Sequence, residues 1–172
     1  KVGNANPVFM MGWDHTFSYK GFSLYFLLDW RYGGKVLSQT QAEMDLYGVS
    51  EITADARDRG YVMLEGQQID NVKGFYKNVV GAGVTEYYMY DATNLRLREV
   101  SLSYNFSKKW IQKTKVLKDV QLSFVARNLC FLYKKAPFDP DLVLSTGNDN
   151  QGIEVFGMPT TRSLGFTLKC EF

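Results

Sequence analysis

The feature that most constrains this chain is the strict two-residue alternation over its last residues. Leu164, Phe166, Leu168, Cys170 and Phe172 share one parity; Ser163, Gly165, Thr167, Lys169 and Glu171 share the other. Successive side chains of a β-strand point to opposite faces, so this segment reads as a strand with one apolar and one polar face. The pattern recurs upstream. In Phe22–Tyr32 the apolar set is Phe22, Leu24, Phe26, Leu28, Trp30 and Tyr32, against Ser23, Asp29 and Arg31, with Tyr25 and Leu27 as imperfections. In Phe9–Tyr19 it is Phe9, Met11, Trp13, Phe17 and Tyr19, interrupted by His15, against Gly12, Asp14, Thr16 and Ser18. Residues 120–132 place Val120, Leu122, Phe124, Ala126, Cys130 and Leu132 together, broken at Asn128.

Residues 95–106 change phase. Leu95 and Leu97 are odd; Val100, Leu102, Tyr104 and Phe106 are even. One extra residue near Arg98–Glu99 returns both sets to one face, which is the action of a β-bulge. The expectation is therefore about five strands of roughly 10–13 residues, long enough to cross a bilayer at a tilt and longer than the usual soluble strand.

The connections alternate in length. Lys20-Gly21 is a tight turn, 33–94 is long, 107–119 is moderate and 133–160 is long. Membrane β-barrels have short periplasmic turns and long extracellular loops. Within the first long connection, residues 38–47 hold good helix formers behind a Ser38 N-cap, and 53–59 reads as another helical turn. The chain opens at Lys1 in mid-pattern with no leader-like segment, as an internal fragment would.

Composition adds exclusions. A formal charge of +2 lacks the clustered basic face that nucleic-acid binding requires, and the basic stretch 108–118 reads as a solvated turn. No run of 18 apolar residues suggests a membrane-spanning helix. The mean hydropathy of −0.23 suits a wall in which only alternate residues meet lipid. Aromatic residues make up 15% of the chain, as the girdles of a membrane barrel require, although aromatic-rich soluble β-proteins share this.

Several segments then become recognisable. Gly157-Met-Pro-Thr-Thr-Arg-Ser-Leu-Gly-Phe-Thr-Leu-Lys-Cys-Glu-Phe172 resembles the C-terminal strand of SusC/RagA-type TonB-dependent transporters. So do Asn94-Leu-Arg-Leu-Arg-Glu-Val-Ser-Leu-Ser-Tyr-Asn-Phe106, and Ala126-Arg-Asn-Leu-Cys-Phe-Leu132 followed by Phe138-Asp-Pro-Asp141. Asn6-Pro7, Tyr19-Lys-Gly-Phe22 and Asp29-Trp-Arg-Tyr-Gly-Gly34 are similar to late strands of the same family. The resemblance covers nearly the whole chain; residues 35–92 depart most. It implies an all-β fold: an antiparallel transmembrane β-barrel segment, the last strands of a barrel of about 22 with a plugged lumen, carrying long extracellular loops. It implies residence in the outer membrane of a Gram-negative bacterium, in contact with its lipid, and import of oligosaccharides or peptides. It implies a SusD-like surface lipoprotein as partner and energy from the TonB complex. The family's plug and TonB-contacting segment are N-terminal and have no counterpart within residues 1–172.

Individual residues carry two readings each. Asp29, Arg31, Arg96, Arg98, Arg127, Lys169 and Glu171 are expected to face a wet lumen, because arginine facing lipid costs about 2–4 kcal/mol at the midplane. There they line an import path or form an ion-pair lattice that solvates the wall. Tyr47, Tyr61, Tyr87, Tyr88, Phe138 and Phe156 are expected as exposed loop aromatics for substrate or partner, with Asp139 and Asp141 beside them. Asp139, Asp141, Asn148, Asp149 and Asn150 suit either a calcium site or side-chain-stabilised turns; EF-hand spacing is absent. Phe172 resembles a barrel-assembly signal, or is one more girdle aromatic.

Cys130 and Cys170 fall on neighbouring strands. With Cys170 beside about Leu122, they lie some 25 Å apart, too far for a disulfide. No His or Cys pair has metal-ligand spacing. His15, the only histidine, has no nucleophile motif near it, so neither enzymatic activity nor a cofactor is expected. Gly81-Ala-Gly83 lacks the third glycine of a dinucleotide fingerprint, and the sequon Asn105-Phe-Ser107 falls at a periplasmic turn. Two rivals remain: a soluble β-sandwich carbohydrate-binding module, which would turn the Phe, Leu and Trp faces inward, and a small self-standing barrel, which needs at least eight strands.

Overall fold

The computed structural model describes residues 3–106, 111, 117–142, 144, 147 and 150–172. The elements run β1 (Phe9–Tyr19), β2 (Phe22–Tyr32), β3 (Lys35–Ser38), α1 (Gln39–Tyr47), α2 (Glu51–Arg59), β4 (Val62–Leu64), β5 (Gln67–Ile69), α3 (Val72–Gly81), a 3-10 turn (Thr85–Tyr88), β6 (Met89–Asp91), β7 (Asn94–Asn105), β8 (Asp119–Lys134), β9 (Ile153–Glu154) and β10 (Ser163–Glu171). They divide into two compact units. One comprises Pro7–Gly33, Thr93–Pro137 and Pro159–Phe172; the other comprises Lys1–Asn6, Gly34–Ala92 and Phe138–Met158.

The first unit is a five-stranded antiparallel sheet in the order β1-β2-β7-β8-β10. Each strand pairs with the next long strand in the chain, as in an up-and-down meander. β1 and β2 close on Lys20-Gly21 with Tyr19 opposite Phe22. Both turn residues have positive φ, 45° and 89°, the two-residue hairpin geometry whose twist matches the strands. A side chain at Gly21 would meet the Asn105 carbonyl oxygen at 2.8 Å.

Register carries the alternation from strand to strand. Phe26 faces Val100, Val100 faces Ala126, and Ala126 faces Leu164. One face therefore gathers Trp13, Phe26, Val100, Ala126 and Leu164, and the other Asp14, Glu99, Arg127 and Ser163. On the apolar face Trp13, Phe17, Phe22, Leu102, Leu122 and Phe166 are exposed, Phe166 at 79%. These are large residues that a soluble sandwich would bury.

The bulge falls where the phase change places it. β2 runs Leu27 opposite Glu99 and then Leu28 opposite Leu97, leaving Arg98 unmatched. β8 shifts register at the same level, where Asn128 has φ 52°, and again past Leu132. Two expectations change as a result. Leu132 has no partner on β7, so Tyr133 takes the place opposite Leu95, and Phe131 lies opposite Arg96 on the polar face. Cys170 lies opposite Val120 and not Leu122, so Cys130 is farther from it than the alternation alone suggested. Both thiols are free.

The second unit mixes helices with short strands. β6, β3 and β9 form one sheet, β4 and β5 a hairpin. Its core is Ala56, Val62, Val72, Phe75 and Tyr76, with Ile69 and Val79 against it. Ser38 caps α1 by accepting from the Gln41 N–H, and Ser50 caps α2 through the Thr53 N–H. Both helices end on glycines in the left-handed conformation, Gly48 and Gly60, a common helix stop. The helices at residues 38–47 and 53–59 are thus present, the second starting at Glu51. The helix α3 and the short strands give no alternation long enough to read from sequence.

Deleting Arg98 should turn Leu95 and Leu97 to the polar face and abolish correct assembly, whereas Arg98→Ala should leave the strand in place. Strand content by circular dichroism and resistance to proteolysis check both. A folded deletion variant would contradict the bulge's role.

Candidate functional site

The polar sheet face concentrates charge toward the end of the strands remote from the Lys20-Gly21 turn. The bulge allows Arg98 to reach Asp29, with Nε and Nη2 donating to Oδ2 at 2.8 and 2.7 Å. Arg127 donates to Glu99 at 2.9 Å from the position directly opposite. Arg96, 3% exposed, lies over the Phe131 ring at 4.1 Å and donates to the Thr160 hydroxyl at 2.7 Å. Arg31 shares this face through its position opposite Asn94 and Met10. Lys169 and Glu171 lie opposite Gln121 and Asp119. All seven charged residues singled out from sequence thus belong to the polar face, and register rather than spacing decides which of them meet.

The second unit contains a groove of about 290 Å³ lined by Gln39, Glu43, Met44, Tyr47, Val49, Val155 and Phe156. Tyr47 and Phe156 are 76% and 65% exposed. Phe156 has φ 45°, a conformation that costs a bulky residue about 1–3 kcal/mol unless its surroundings hold it there. A buried carboxylate does so. Glu154, 4% exposed, accepts from the Ser38 hydroxyl at 2.8 Å and from the Thr40 hydroxyl at 2.6 Å. Thr40 Oγ1 in turn accepts the Phe156 N–H at 2.6 Å, and the Gly157 N–H donates to Glu154 at 3.2 Å. Nothing in the sequence marks Glu154, because its hydroxyl partners lie more than a hundred positions away along the chain.

The remaining expected loop aromatics divide. Tyr87 is partly exposed, stacked edge-on against Phe75 and Tyr88. Tyr61 is half-buried. Phe138 is half-buried with its ring edge-on to Tyr90 at 5.3 Å. Tyr88 was expected at the surface but is 2% exposed. It lies at the end of the 3-10 turn Thr85–Tyr88, an element with no periodicity to read from the sequence. Asp139 is likewise buried, at 8%. Its Oδ1 accepts the Asp141 N–H at 3.1 Å and its carbonyl accepts the Leu142 N–H, the side-chain-stabilised turn of the alternative reading. Asn148 and Asp149 lie outside the described residues. Among the described residues no group of three His, Cys, Asp or Glu side chains is placed to hold a metal.

A second buried acid organises the helices. Asp45, 2% exposed, accepts from Gln41 Nε2 at 2.7 Å and from the Ser50 hydroxyl. Burial raises the pKa of Tyr76, Tyr87, Tyr88 and Tyr90, and the Asp45 charge raises all four further. A phenol whose folded pKa exceeds its unfolded value of about 10 favours the fold fully below that pH. The contribution is lost as pH rises toward the folded value. We expect phenolate absorbance to rise late and together with loss of structure in this unit. The buried Tyr88 phenol lies under the direct influence of the Asp45 carboxylate, whose charge raises its pKa. Tyr88→Phe removes that ionisable group and should move the alkaline transition upward. A transition at or below pH 10 with no change in Tyr88→Phe would contradict this account.

No protein-family model matches the chain. A TonB-dependent receptor, P3, of Formosa agariphila is 24% identical over 176 aligned residues, covering 99% of this chain and 17% of the relative. In fold, the chain is similar to the RagAB peptide importer in its open-open state, with a TM-score of 0.69 at 16% identity over 98% of this chain and 17% of that one. The closed-closed state gives 0.68 at 14% identity, with 98% and 18% covered. This chain spans about a sixth of the relatives it matches. In sequence it resembles part of a TonB-dependent receptor, and in fold part of the RagAB peptide importer.

Proposed function

We propose that this chain is the C-terminal wall segment of an outer-membrane, TonB-dependent importer of nutrient oligomers. The observation that carries this reading is the pair of unlike faces on one continuous meander. An 11-residue strand such as β1 spans roughly 33–35 Å along its axis. Tilted by about 40°, it covers roughly 25–27 Å, the height of a barrel's apolar band. Aromatics gather at both ends of that span. Tyr19, Phe22 and Tyr104 lie at the Lys20-Gly21 end, and Phe9, Trp30 and Tyr32 at the other. Two such girdles suit the two membrane–water interfaces.

On this reading Asp29, Arg31, Arg96, Arg98, Arg127, Lys169 and Glu171 line the lumen, and the connections at the end of the strands remote from Lys20-Gly21 lie outside the cell. The helical unit within those connections then meets substrate or a SusD-like lipoprotein, with Tyr47, Tyr87 and Phe156 its exposed rings. The RagAB relatives support a peptide as cargo, while stacking rings suit sugars equally well. Phe172, 72% exposed, fits an assembly signal, and its deletion should lower surface levels of the intact protein.

Two measurements test the proposal. Fractionation with mass spectrometry should find the chain in detergent-extracted outer membrane, together with a surface lipoprotein. A soluble, self-folded monomer would replace the proposal with a soluble β-module. Val100→Arg, on the apolar face, should destabilise the folded barrel by about 2–4 kcal/mol, whereas Ser101→Arg on the polar face should cost little. Equal effects of the two would remove the assignment of lipid to the apolar side.

A further inference from the structure

We infer that the groove beside Tyr47 and Phe156 binds the basic side chain of a peptide, an arginine above all. The inference rests on the importer reading and names a chemistry for its outward-facing unit.

The groove is small. Its volume of about 290 Å³ lies at the bottom of the range for small-molecule sites, which suits one long side chain and not an oligosaccharide ring system. Its wall is largely apolar, with Met44, Val49 and Val155. Such a wall takes the methylene stem of an arginine or lysine, whose charged head must then find a partner. Glu43 supplies that partner. It is half-buried and lines the groove, and among the described residues no cation lines the groove with it. A partly desolvated carboxylate in an apolar setting gains most from an incoming cation. The Tyr47 and Phe156 rings line the same groove and are largely exposed, and aromatic faces attract a guanidinium further.

The strain at Phe156 points to a ligand as well. Its positive φ is held by the Glu154–Thr40–Ser38 hydrogen bonds, yet the ring that they present packs into no core. A strained backbone that keeps a large apolar ring in solvent opposes stability, and such arrangements persist at ligand clamps. A sugar-binding platform would require several convergent hydrogen-bonding groups. Here only Gln39 and Glu43 have polar side-chain ends apart from the Tyr47 hydroxyl.

The test is isothermal titration calorimetry on the intact protein extracted from the outer membrane. The probes are acetylated, amidated Ala-Arg-Ala, the same peptide with neutral citrulline in place of arginine, and maltohexaose. The arginine peptide should bind about tenfold or more tighter than the citrulline peptide, as expected for a charge-assisted hydrogen bond. Glu43→Gln should erase that preference, Glu43→Asp should retain it in part, and Tyr47→Ala should weaken binding of the arginine peptide. Equal affinity for the two peptides, an unchanged preference in Glu43→Gln, or binding of maltohexaose that Tyr47→Ala removes would each overturn the inference. Those results leave the importer reading standing, because extraction from the outer membrane tests that reading separately.

Discussion

A backbone amide shielded from water must find a carbonyl within the protein. In a sheet this requirement fixes the strands to one another, residue by residue. It is why register organises everything else in this chain. Once Phe26, Val100, Ala126 and Leu164 are aligned across four strands, every other side chain is committed to a face. The same requirement bears on β1 and β10, which lie at the two margins of the five-stranded order. Such margins are ready templates for pairing with a further strand.

Within that frame the bulge at Arg98 has two effects. It returns Leu95 and Leu97 to the apolar face, and it lets a guanidinium reach Asp29 on the other. Partly exposed ion pairs of this kind contribute little stability by themselves. Their effect is to hold the charged groups together on the polar face. Arg96 reaches the same end by another route, its guanidinium lying over Phe131 and bonded to Thr160.

The helical unit follows different rules. It has a small core of its own, and its two buried carboxylates, Asp45 and Glu154, act as hydrogen-bond hubs. Buried acids are retained where donors surround them. Ser50 shows the economy of the design, since one hydroxyl both caps α2 and bonds Asp45. Glu154 joins β9 to the start of α1 and so sets the position from which Phe156 projects.

The sequence by itself determined the five long strands, their two faces and the bulge at Arg98, because a pleat with period two writes itself into the order of apolar and polar residues. It also indicated α1, through good helix formers behind Ser38, and a helical turn over 53–59, while the Ser50 cap and the glycine stops came with the structure. Only the tertiary structure decided the rest. It took cross-strand pairing to show that Cys170 meets Val120, that Phe131 joins the polar face, and that Arg127 meets Glu99. Folding of the long connections was needed to bury Tyr88 and Asp139 and to bring Glu154 to Ser38 and Thr40. These contacts join residues far apart in the chain, and neither periodicity nor capping carries information over such distances. Alternation specifies which face a residue takes, while its neighbour there depends on how the whole sheet and the folded connections close.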